Sequence, residues 1–398
     1  MKILLINGLA PTSLNSTSGI FITRRLKELH AQSVQFYSLT PFFEYPWILK
    51  VGKTLIGREN IKYPESIFVE GVRFNFAPVK MSLIDFIETR LVSPSKWPEL
   101  IFEKIFDQIP EERFDLVHAH RAFPHGSVAN LIGKKFGIPS VVTAHGSEIH
   151  TEPVLKKRLR LPTIQALEDA DKAIFVSSNL LEKARSMGYR KNNAVVIPNG
   201  IDPDIFKPSP KSPIKKKLRL QKQCVGFVGN LKKVKRADSF PQIFEYINDL
   251  CPDVSFLVVG EGDLRNEIEK RCKNLGLDVR FTGRVSPEKV AYFMNAMDVM
   301  ILPSRNEGWP CVVLEAQACG VPVVGSSNGG IPEAIGEGGS VVKEGESFDK
   351  RFAESVVDVL RNPRIEESLT ARAKKYSWAK VVSDEIKSYK SVLSGEKT

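Results

Sequence analysis

The sequence predicts an α/β protein built from two doubly wound, parallel-sheet domains. Short apolar runs, beginning with residues 3–6, alternate with helical patterns along the whole chain, which is typical of strand–helix–strand units. The runs are apolar at consecutive positions, which indicates strands covered by helices on both faces. A stretch rich in proline and lysine interrupts this pattern near residue 206, and the alternation begins again at Val225. At 398 residues, the chain has the length of two domains.

The first half of the chain, residues 1–205, is predicted to form one of these domains. Residues 3–6 give its first strand, and the helical pattern of residues 21–29 follows. Further strands are predicted at residues 115–117, 140–143, 173–176 and 195–197. Each of these runs is short and bounded by turn-forming or polar residues, as strands are.

Residues 206–222 are predicted to link the two domains, because Pro208, Pro210 and Pro213 lie among lysines there. The second domain is predicted to span residues 223–375. Its strands are expected at residues 225–228, 255–259, 279–281, 299–302 and 321–324. The C-terminal helix, residues 376–398, is expected to pack back on the first domain. Sheets of this kind bind ligands beyond the carboxyl ends of their strands, so the loops that follow the strands are where a site is expected.

The composition is that of an ordinary globular protein, with 42% hydrophobic and 26% charged residues. The opening apolar stretch is shorter than the apolar core of a signal peptide. No run approaches the roughly 18–20 residues that a membrane span needs. The five cysteines show no C-x-x-C spacing, which argues against a disulfide framework or a zinc site. We therefore expect a protein of the reducing cytoplasm.

The chain carries a formal net charge of +11, and the excess is spread over both halves. A basic surface suits an anionic lipid, an anionic substrate or a nucleic acid. No helix-turn-helix or base-stacking module accompanies the charge, which argues against a nucleic acid. Residues 41–63 mix aromatic and basic side chains, and residues 155–161 interleave leucines with four basic residues. Both segments predict docking on anionic lipid headgroups, with an ordinary solvated surface as the alternative.

The segment 303–316, PSRNEGWPCVVLEA, carries two glutamates eight positions apart, Glu307 and Glu315. Glu307 lies in a predicted turn after a buried strand, and Glu315 falls inside a helix predicted to begin near Cys311. A helix N-terminus offers N–H groups and the positive end of its dipole to a phosphate. The flanking carboxylates instead accept hydrogen bonds from hydroxyl groups of ribose or of a hexose. The pattern indicates a nucleotide diphospho-sugar; a helix cap followed by a solvated glutamate is the alternative.

Further motifs follow in order along nearly the whole chain, at residues 18–19, 145–148, 197–202, 227–231, 235–236, 260–262, 281–284 and 328–333. Together with the segment 303–316, they resemble the retaining glycosyltransferases of family 4, the group 1 glycosyltransferases of GT-B architecture. The resemblance implies two facing Rossmann-like domains with a cleft between them. It also implies a nucleotide-sugar donor as substrate, with no metal ion and no other cofactor.

The resemblance assigns roles to individual residues. Glu307, Lys235 and His145 are expected to be the catalytic residues. Glu307 would contact the donor sugar, and Lys235 would neutralise the diphosphate, a task that suits a compact point charge. Glu315 would hold the ribose. The donor-binding residues that the resemblance implies are Gly19, Asn230, Arg236, Arg284, Gly308, Trp309, Pro310, Cys311, Val312 and Glu315.

Three positions depart from the family pattern. Asn230 stands where many members have arginine, so Lys232, Lys233 or Arg236 is a candidate to replace that contact with the diphosphate; the alternative is that Lys235 and the backbone hold it. Trp309 replaces the more usual phenylalanine, which leaves the expected backbone role intact. Glu148 stands where aspartate is common, and no role is assigned to it.

His145 is the main candidate of the first domain, since an imidazole can donate a hydrogen bond to a sugar hydroxyl or to a phosphate. The alternative is a histidine that orients the end of a strand. Gly19 would let the backbone approach a phosphate or the acceptor at the start of the first helix, with a plain flexible loop as the alternative. His118, His120 and His125 lie near His145 and suggest a metal site. We expect none, because the family that the sequence resembles typically needs no metal ion.

The sequence therefore predicts an enzyme that transfers a hexosyl unit from a UDP- or GDP-linked sugar to a hydroxyl acceptor with retention. The acceptor is expected to be a glycan or a lipid-linked glycan. The expected context is the biosynthesis of cell-surface polysaccharide, lipopolysaccharide or glycolipid. The place of action is expected to be the cytoplasm or the inner face of the cell membrane. Two alternatives stay open: a GT-B nucleotide-sugar epimerase, and a nucleotide- or glycan-binding protein without activity.

Overall fold

The computed structural model describes residues 1–11, 19–45, 63–88, 93–94 and 96–395. The chain folds into two compact units. The first unit comprises Met1–Pro198 and Val381–Thr398, and the second comprises Asn199–Lys380. Each unit is an α/β structure with its own sheet and its own buried core.

In the first unit, the described strands are β1 (Lys2–Asn7), β2 (Gln35–Glu44), β3 (Ser66–Val69), β4 (Val72–Lys80), β5 (Leu116–His120), β6 (Ser140–Ala144), β7 (Lys172–Phe175) and β8 (Ala194–Val196). They form one sheet in the order β3-β4-β2-β1-β5-β6-β7-β8. All neighbouring pairs are parallel except β3 and β4. The order reverses direction beside β1, which puts the carboxyl ends of β1, β5 and β6 at the edge where ligands bind in such sheets.

Helices cover this first sheet. Among the described residues they are α1 (Ile20–Ala31), α2 (Leu83–Ile87), α3 (Lys96–Ile105), α4 (Ser127–Phe136), α5 (Ser147–His150), α6 (Glu152–Leu155), α7 (Arg160–Asp169) and α8 (Ser178–Ser186). The central strands β5 and β6 are buried along their whole length. Burial on both faces explains why these strands carry apolar residues at consecutive positions, as at residues 116–117 and 141–142, and it also carries two polar residues, His118 and His120, into the interior.

The second unit is described throughout. Its strands are β9 (Gln223–Val228), β10 (Val254–Val259), β11 (Val279–Gly283), β12 (Val299–Leu302), β13 (Val323–Ser326) and β14 (Gly339–Val342). They form a parallel sheet in the order β11-β10-β9-β12-β13-β14. The order reverses between β9 and β12, so the loops after these two strands meet at the ligand-binding edge.

The helices of the second unit are α9 (Lys211–Leu218), α10 (Phe240–Leu250), α11 (Arg265–Asn274), α12 (Pro287–Met294), α13 (Cys311–Ala318), α14 (Ile331–Ile335), α15 (Phe348–Arg361) and α16 (Glu366–Lys374). The apolar residues of α10 show why such segments fold: Phe240, Ile243, Phe244 and Ile247 recur at helical spacing, and all are buried. The last helix, α17 (Trp378–Leu393), begins in the second unit and continues into the first.

The structure differs from the sequence prediction at the domain borders. The borders fall at Asn199 and Lys380, and residues 206–222 belong to the second unit. The predicted linker contains helix α9. Its prolines are compatible with a helix because they lie before it or within its first turn, where a backbone N–H would have no hydrogen-bond partner in the helix. Ile214 of α9 is buried, and Lys215 forms an ion pair with Asp298. These contacts attach the segment to the second unit.

No helix within the described ranges is long and apolar enough to cross a membrane.

Candidate active site

The turn and helix after β12 hold the two glutamates of the segment 303–316. Glu307 lies in the turn and Glu315 in helix α13, which begins at Cys311 as predicted. The helix buries Val313 and Leu314 against the core, while Cys311, Val312 and Glu315 are only partly buried. Pro310 precedes the helix, no side chain caps its first turn, and the N–H of Val313 donates to the carbonyl of Pro310 at 3.0 Å. Backbone N–H groups thus lie at the start of α13 without a side chain over them. Such a turn can hold a phosphate.

The backbone of Glu307 is held by the glycine-rich loop after β13. The N–H of Gly330 donates to the carbonyl of Glu307 at 2.9 Å. Gly329 has a φ of +57°, and a Cβ atom on it would come within 2.1 Å of the same carbonyl oxygen. Only glycine fits there, which gives the motif at residues 328–333 a supporting role.

Lys235 and Glu307 form an ion pair between Nζ and Oε1. Lys235 ends a short 3₁₀ turn, Lys233–Lys235, in the loop after β9. The exposed fractions of the two side chains are 24% and 13% respectively. The structure thus brings together two of the three predicted catalytic residues, one from each of the loops at the point where the strand order reverses. The pair offers one cationic and one hydroxyl-accepting group side by side.

Arg305 holds the loop that carries Lys235. Its guanidinium donates two hydrogen bonds to the carboxylate of Asp238, at 2.7 and 2.9 Å. Its backbone N–H donates to the carbonyl of Val234 at 2.8 Å. The bond from Arg305 lowers the pKa of the Asp238 carboxyl, which keeps this carboxylate charged. Sequence reasoning did not identify this pair, because no motif relates two residues so far apart in the chain.

The side chain of Arg236 is engaged away from Glu307. It donates from Nε to the carbonyl of Pro303 at 2.9 Å and pairs with Glu344. Its guanidinium also lies 4.0 Å from the ring centroid of Phe348. Arg236 therefore braces the loops around the site, and its expected contact with the donor stays a prediction.

Asn230 and Arg284 are both exposed, in the loops after β9 and β11. The carbonyl of Asn230 accepts from the N–H of Lys232 at 2.9 Å. Neither side chain takes part in the ion pair of Lys235 with Glu307. That Asn230 and Arg284 contact the donor stays a prediction.

The side chain of Trp309 is anchored within the second unit. Its indole N–H donates to the carbonyl of Asn199 at 3.0 Å, and its ring lies 5.5 Å from that of Tyr376. Trp309 is buried. The family pattern implies only a backbone role at this position; the indole adds a structural one.

In the first unit, His145 follows β6 and Gly19 precedes α1. Gly19 has a φ of +63°, and its carbonyl accepts from the N–H of Ile22 at 2.8 Å. Phe21, two residues further on, lies 4.7 Å from the ring of His145. The two predicted positions are therefore neighbours at the same end of the sheet. Ser18, which the motif included, lies outside the described residues.

His145 is neutral and tightly held. Its backbone N–H donates to Glu148 at 2.7 Å, which gives this buried glutamate a role in shaping the loop. Its Nε2 lies 3.1 Å from Nδ1 of His120. Burial, with Arg25 and other nearby groups, lowers the pKa of His145 well below its usual value. The imidazole can therefore donate one hydrogen bond without carrying charge.

Within the described ranges, no cluster of three or more His, Cys, Asp or Glu side chains is placed to hold a metal ion. His118 and His120, which suggested such a site, are bonded or stacked with other side chains. Independence from metal ions stays a prediction.

Two family models match the chain. The model described as glycosyl transferases group 1 matches residues 209–376, and the one described as glycosyltransferase family 4 matches residues 82–205. A relative from Methanocaldococcus jannaschii, described as an uncharacterized glycosyltransferase, is 30% identical over 289 residues, which cover 71% of this chain and 76% of the relative.

Two solved structures share the fold. Sucrose-phosphate synthase from Thermosynechococcus elongatus superimposes with a TM-score of 0.75 at 19% identity, and each chain is covered in full. The HepE protein of Anabaena, in complex with UDP, gives a TM-score of 0.71 at 17% identity over 98% of this chain and 100% of its own. At these identities, the likeness is one of fold.

Proposed function

The chain belongs to the group 1 glycosyltransferases of family 4, with GT-B architecture, and on that premise we propose that it moves a hexosyl unit from a UDP- or GDP-linked sugar to a hydroxyl acceptor with retention. The observation that carries the proposal is the pairing of Lys235 with Glu307 beside a helix whose first turn lacks a side-chain cap. In this proposal the lysine is the cation that binds the diphosphate, and the neighbouring carboxylate binds sugar hydroxyls.

Each residue has a defined task in this proposal. Lys235 and the N–H groups at the start of α13 bind the diphosphate and stabilise the charge that develops on it as the sugar departs. Glu307 accepts hydrogen bonds from the hexose and Glu315 from the ribose. His145 donates to the donor or the acceptor as a neutral imidazole. The departing phosphate assists deprotonation of the acceptor hydroxyl on the same face of the sugar.

UDP is the nucleotide to test first, because the HepE structure of the same fold holds UDP. Binding of UDP, GDP and ADP should be compared by calorimetry, without added metal and in the presence of EDTA. We expect one uridine or guanine nucleotide to bind, and its affinity to be unchanged by EDTA. Absence of binding by all three nucleotides would overturn the proposal.

Turnover separates a transferase from its alternatives. The nucleotide that binds should then be supplied as its hexose conjugates, and release of the free nucleotide followed with and without a glycan acceptor. Transfer with retained anomeric configuration supports the proposal. A sugar that changes configuration while still linked to nucleotide would identify an epimerase, and binding without any release would identify a non-catalytic protein.

The acceptor is proposed to be a glycan or a lipid-linked glycan of the cell surface, reached by an enzyme that docks on the inner face of the membrane. Support comes from the segment 155–161, from the end of α6 to the start of α7, where Leu155 and Leu161 are 77% and 74% exposed. The basic residues Lys156, Lys157 and Arg158 lie between them. Exposed leucines beside cations suit the interface of a bilayer with anionic headgroups. Of the other segment considered, residues 46–62 lie outside the described residues.

Flotation with liposomes tests this docking. The protein is expected to float with vesicles that contain phosphatidylglycerol and not with vesicles of phosphatidylcholine alone. Replacing Leu155 and Leu161 by serine should reduce flotation, whereas replacing the exposed Ile365 of the second unit, as a matched control, should not. Equal behaviour of both vesicle types would contradict the proposed location.

A further inference from the structure

A buried row of polar side chains crosses the first unit. Arg25 of α1 forms an ion pair with Glu385 of α17, and neither side chain is exposed. Glu385 also accepts from the hydroxyl of Tyr389. The same hydroxyl lies 2.8 Å from Nδ1 of His118, whose Nε2 lies 2.8 Å from the hydroxyl of Thr143. The row connects two helices with the central strands β5 and β6.

The donors and acceptors in this row follow from the charge of Glu385. A carboxylate paired with arginine can only accept, so Tyr389 must donate its single proton to it. The tyrosine oxygen is then an acceptor, and Nδ1 of His118 must carry the proton that it receives. Burial lowers the pKa of His118 to about 4, so the ring is neutral and its Nε2 is the acceptor for Thr143. His118 is held in a single tautomer.

His120 lies between His118 and His145. The ring centroids of His118 and His120 are 4.5 Å apart, and Nδ1 of His120 is 3.1 Å from Nε2 of His145. One of these two nitrogen atoms must carry the shared proton. Among the described residues, the other nitrogen of each ring, Nε2 of His120 and Nδ1 of His145, is buried without a partner.

Both unpaired nitrogen atoms are buried, and the two arrangements differ in the exposure of the residue that carries the unpaired N–H. If His145 donated to His120, an N–H would be left on Nε2 of His120, a residue with no exposed surface. If His120 donates, the unpaired N–H is on Nδ1 of His145; this atom is buried as well, but it belongs to a residue that is partly exposed at the end of β6. An N–H buried without a partner costs about 1–3 kcal/mol, and a residue that reaches the surface can recover this cost from a bound oxygen atom.

We propose that His120 is a positioning residue: its Nδ1–H donates to Nε2 of His145 and thereby holds His145 in the tautomer whose Nδ1–H is left to bind an oxygen of the substrate. The oxygen belongs to a sugar hydroxyl or to a phosphate, a step that rests on the proposed function. His118, fixed by Tyr389 and Thr143, packs on His120 and keeps its ring in place.

The tautomer of His145 can be observed directly by NMR, without any substrate. The chain has six histidines, so the ring nitrogens of protein labelled with ¹⁵N-histidine can be assigned from single substitutions. At pH 7.5 we expect His145 to be protonated on Nδ1 and His118 likewise. Protonation of His145 on Nε2 in the unsubstituted protein would overturn the proposal.

Two substitutions of His120 distinguish positioning from packing. In His120→Asn, the amide nitrogen takes the place of Nδ1, so His145 should keep its tautomer. In His120→Gln, the amide reaches the place of Nε2 instead, and His145 should shift towards the Nε2–H form. The exposed His30 gives a matched control, His30→Asn, which should leave every other ring unchanged. An unchanged His145 in both His120 variants, with unfolding temperatures close to the parent, would show that His120 only fills space.

Kinetics give the second readout. With UDP-glucose as the probe, or its GDP counterpart if that nucleotide binds, His120→Asn should stay within about threefold of the parent in kcat. His120→Gln should lose about 10-fold or more, a loss of the size seen when the partner that orients a functional histidine is removed. Its affinity for the free nucleotide should be unchanged. Equal kcat for the two variants would overturn the proposal. Failure of nucleotide binding in every protein would instead refute the proposed function, while the NMR result would still decide the tautomer.

Discussion

Lys235 pairs with Glu307 although 72 positions separate them in the sequence. The loops after β9 and β12 bring them together, because these strands are neighbours in the sheet. Without a ligand, each group satisfies the other. A diphospho-sugar would replace this pair with two contacts, phosphate on the lysine and hydroxyl on the carboxylate.

Replacing Lys235 by alanine should weaken binding of the free nucleotide about 10- to 100-fold. A hydrogen bond between a charged donor and a phosphate contributes about 1.5–3 kcal/mol, and the phosphate would lose it. Calorimetry with UDP and GDP measures the change. Lys273→Ala, at an exposed position of α11 in the same unit, is the matched control and should bind as the parent does. Equal loss in both variants would mean that the general positive charge of the unit, not Lys235, attracts the nucleotide.

The two glutamates should separate nucleotide binding from sugar transfer. Glu315→Ala is expected to weaken binding of the free nucleotide about 10-fold, because the ribose hydroxyls lose their acceptor. Glu307→Ala should bind the nucleotide normally or better, since Lys235 is then unpaired, but should lose turnover and discrimination between hexoses. Glu346→Ala, on an exposed loop, serves as the control. Unimpaired behaviour of both variants would contradict the assignment.

Much of this arrangement could be predicted from the sequence, because it depends on local patterns. Consecutive apolar residues gave the central strands, and the start of α13 at Cys311 followed from the turn that precedes it. The family pattern also predicts Lys235 and Glu307 as site residues, without predicting that they pair. A local pattern does not predict which residue, far away in the sequence, a given side chain will contact.

The bonds of Arg305 to Asp238 and of Trp309 to Asn199 are such cases. Each depends on how loops from different strands pack, which no spacing in the sequence reports. The same holds for α9, where prolines suggested a linker but the burial of Ile214 and the pairing of Lys215 with Asp298 attach the helix to the second unit.

Trp309 should contribute to stability through two separable contacts. Trp309→Phe keeps an aromatic ring beside Tyr376 but removes the bond to the Asn199 carbonyl, at a cost of about 1 kcal/mol. Trp309→Ala also leaves a cavity and should cost about 3–5 kcal/mol. Urea unfolding, followed by circular dichroism, gives both values. A phenylalanine variant as unstable as the alanine one would assign the whole effect to the hydrogen bond.

The buried histidines should make the protein less stable as the pH falls below about 6.5. Burial lowers the pKa of His118 to about 4 and that of His125 to about 3, whereas the unfolded chain keeps the ordinary value of 6.5. Below pH 6.5 the unfolded state therefore binds more protons than the folded state. The free energy of unfolding falls as the pH is lowered, until the pH reaches the pKa of the histidine in the folded protein. Each fully neutral ring contributes up to about 1.4 kcal/mol per pH unit, or about 2 kcal/mol between pH 6.5 and 5.

Unfolding in urea at a series of pH values between 5 and 7.5 measures this slope. In His118→Gln the side chain at position 118 does not titrate. The variant is expected to be less stable at pH 7.5, but its free energy of unfolding should fall less steeply as the pH is lowered, by the contribution of one proton. His30→Asn, at an exposed position, should leave the slope of the parent unchanged. A slope that is the same in His118→Gln as in the parent would mean that the pKa of His118 is equal in the folded and unfolded states, and that burial among Tyr389, Thr143 and the sheet does not disfavour its charged form.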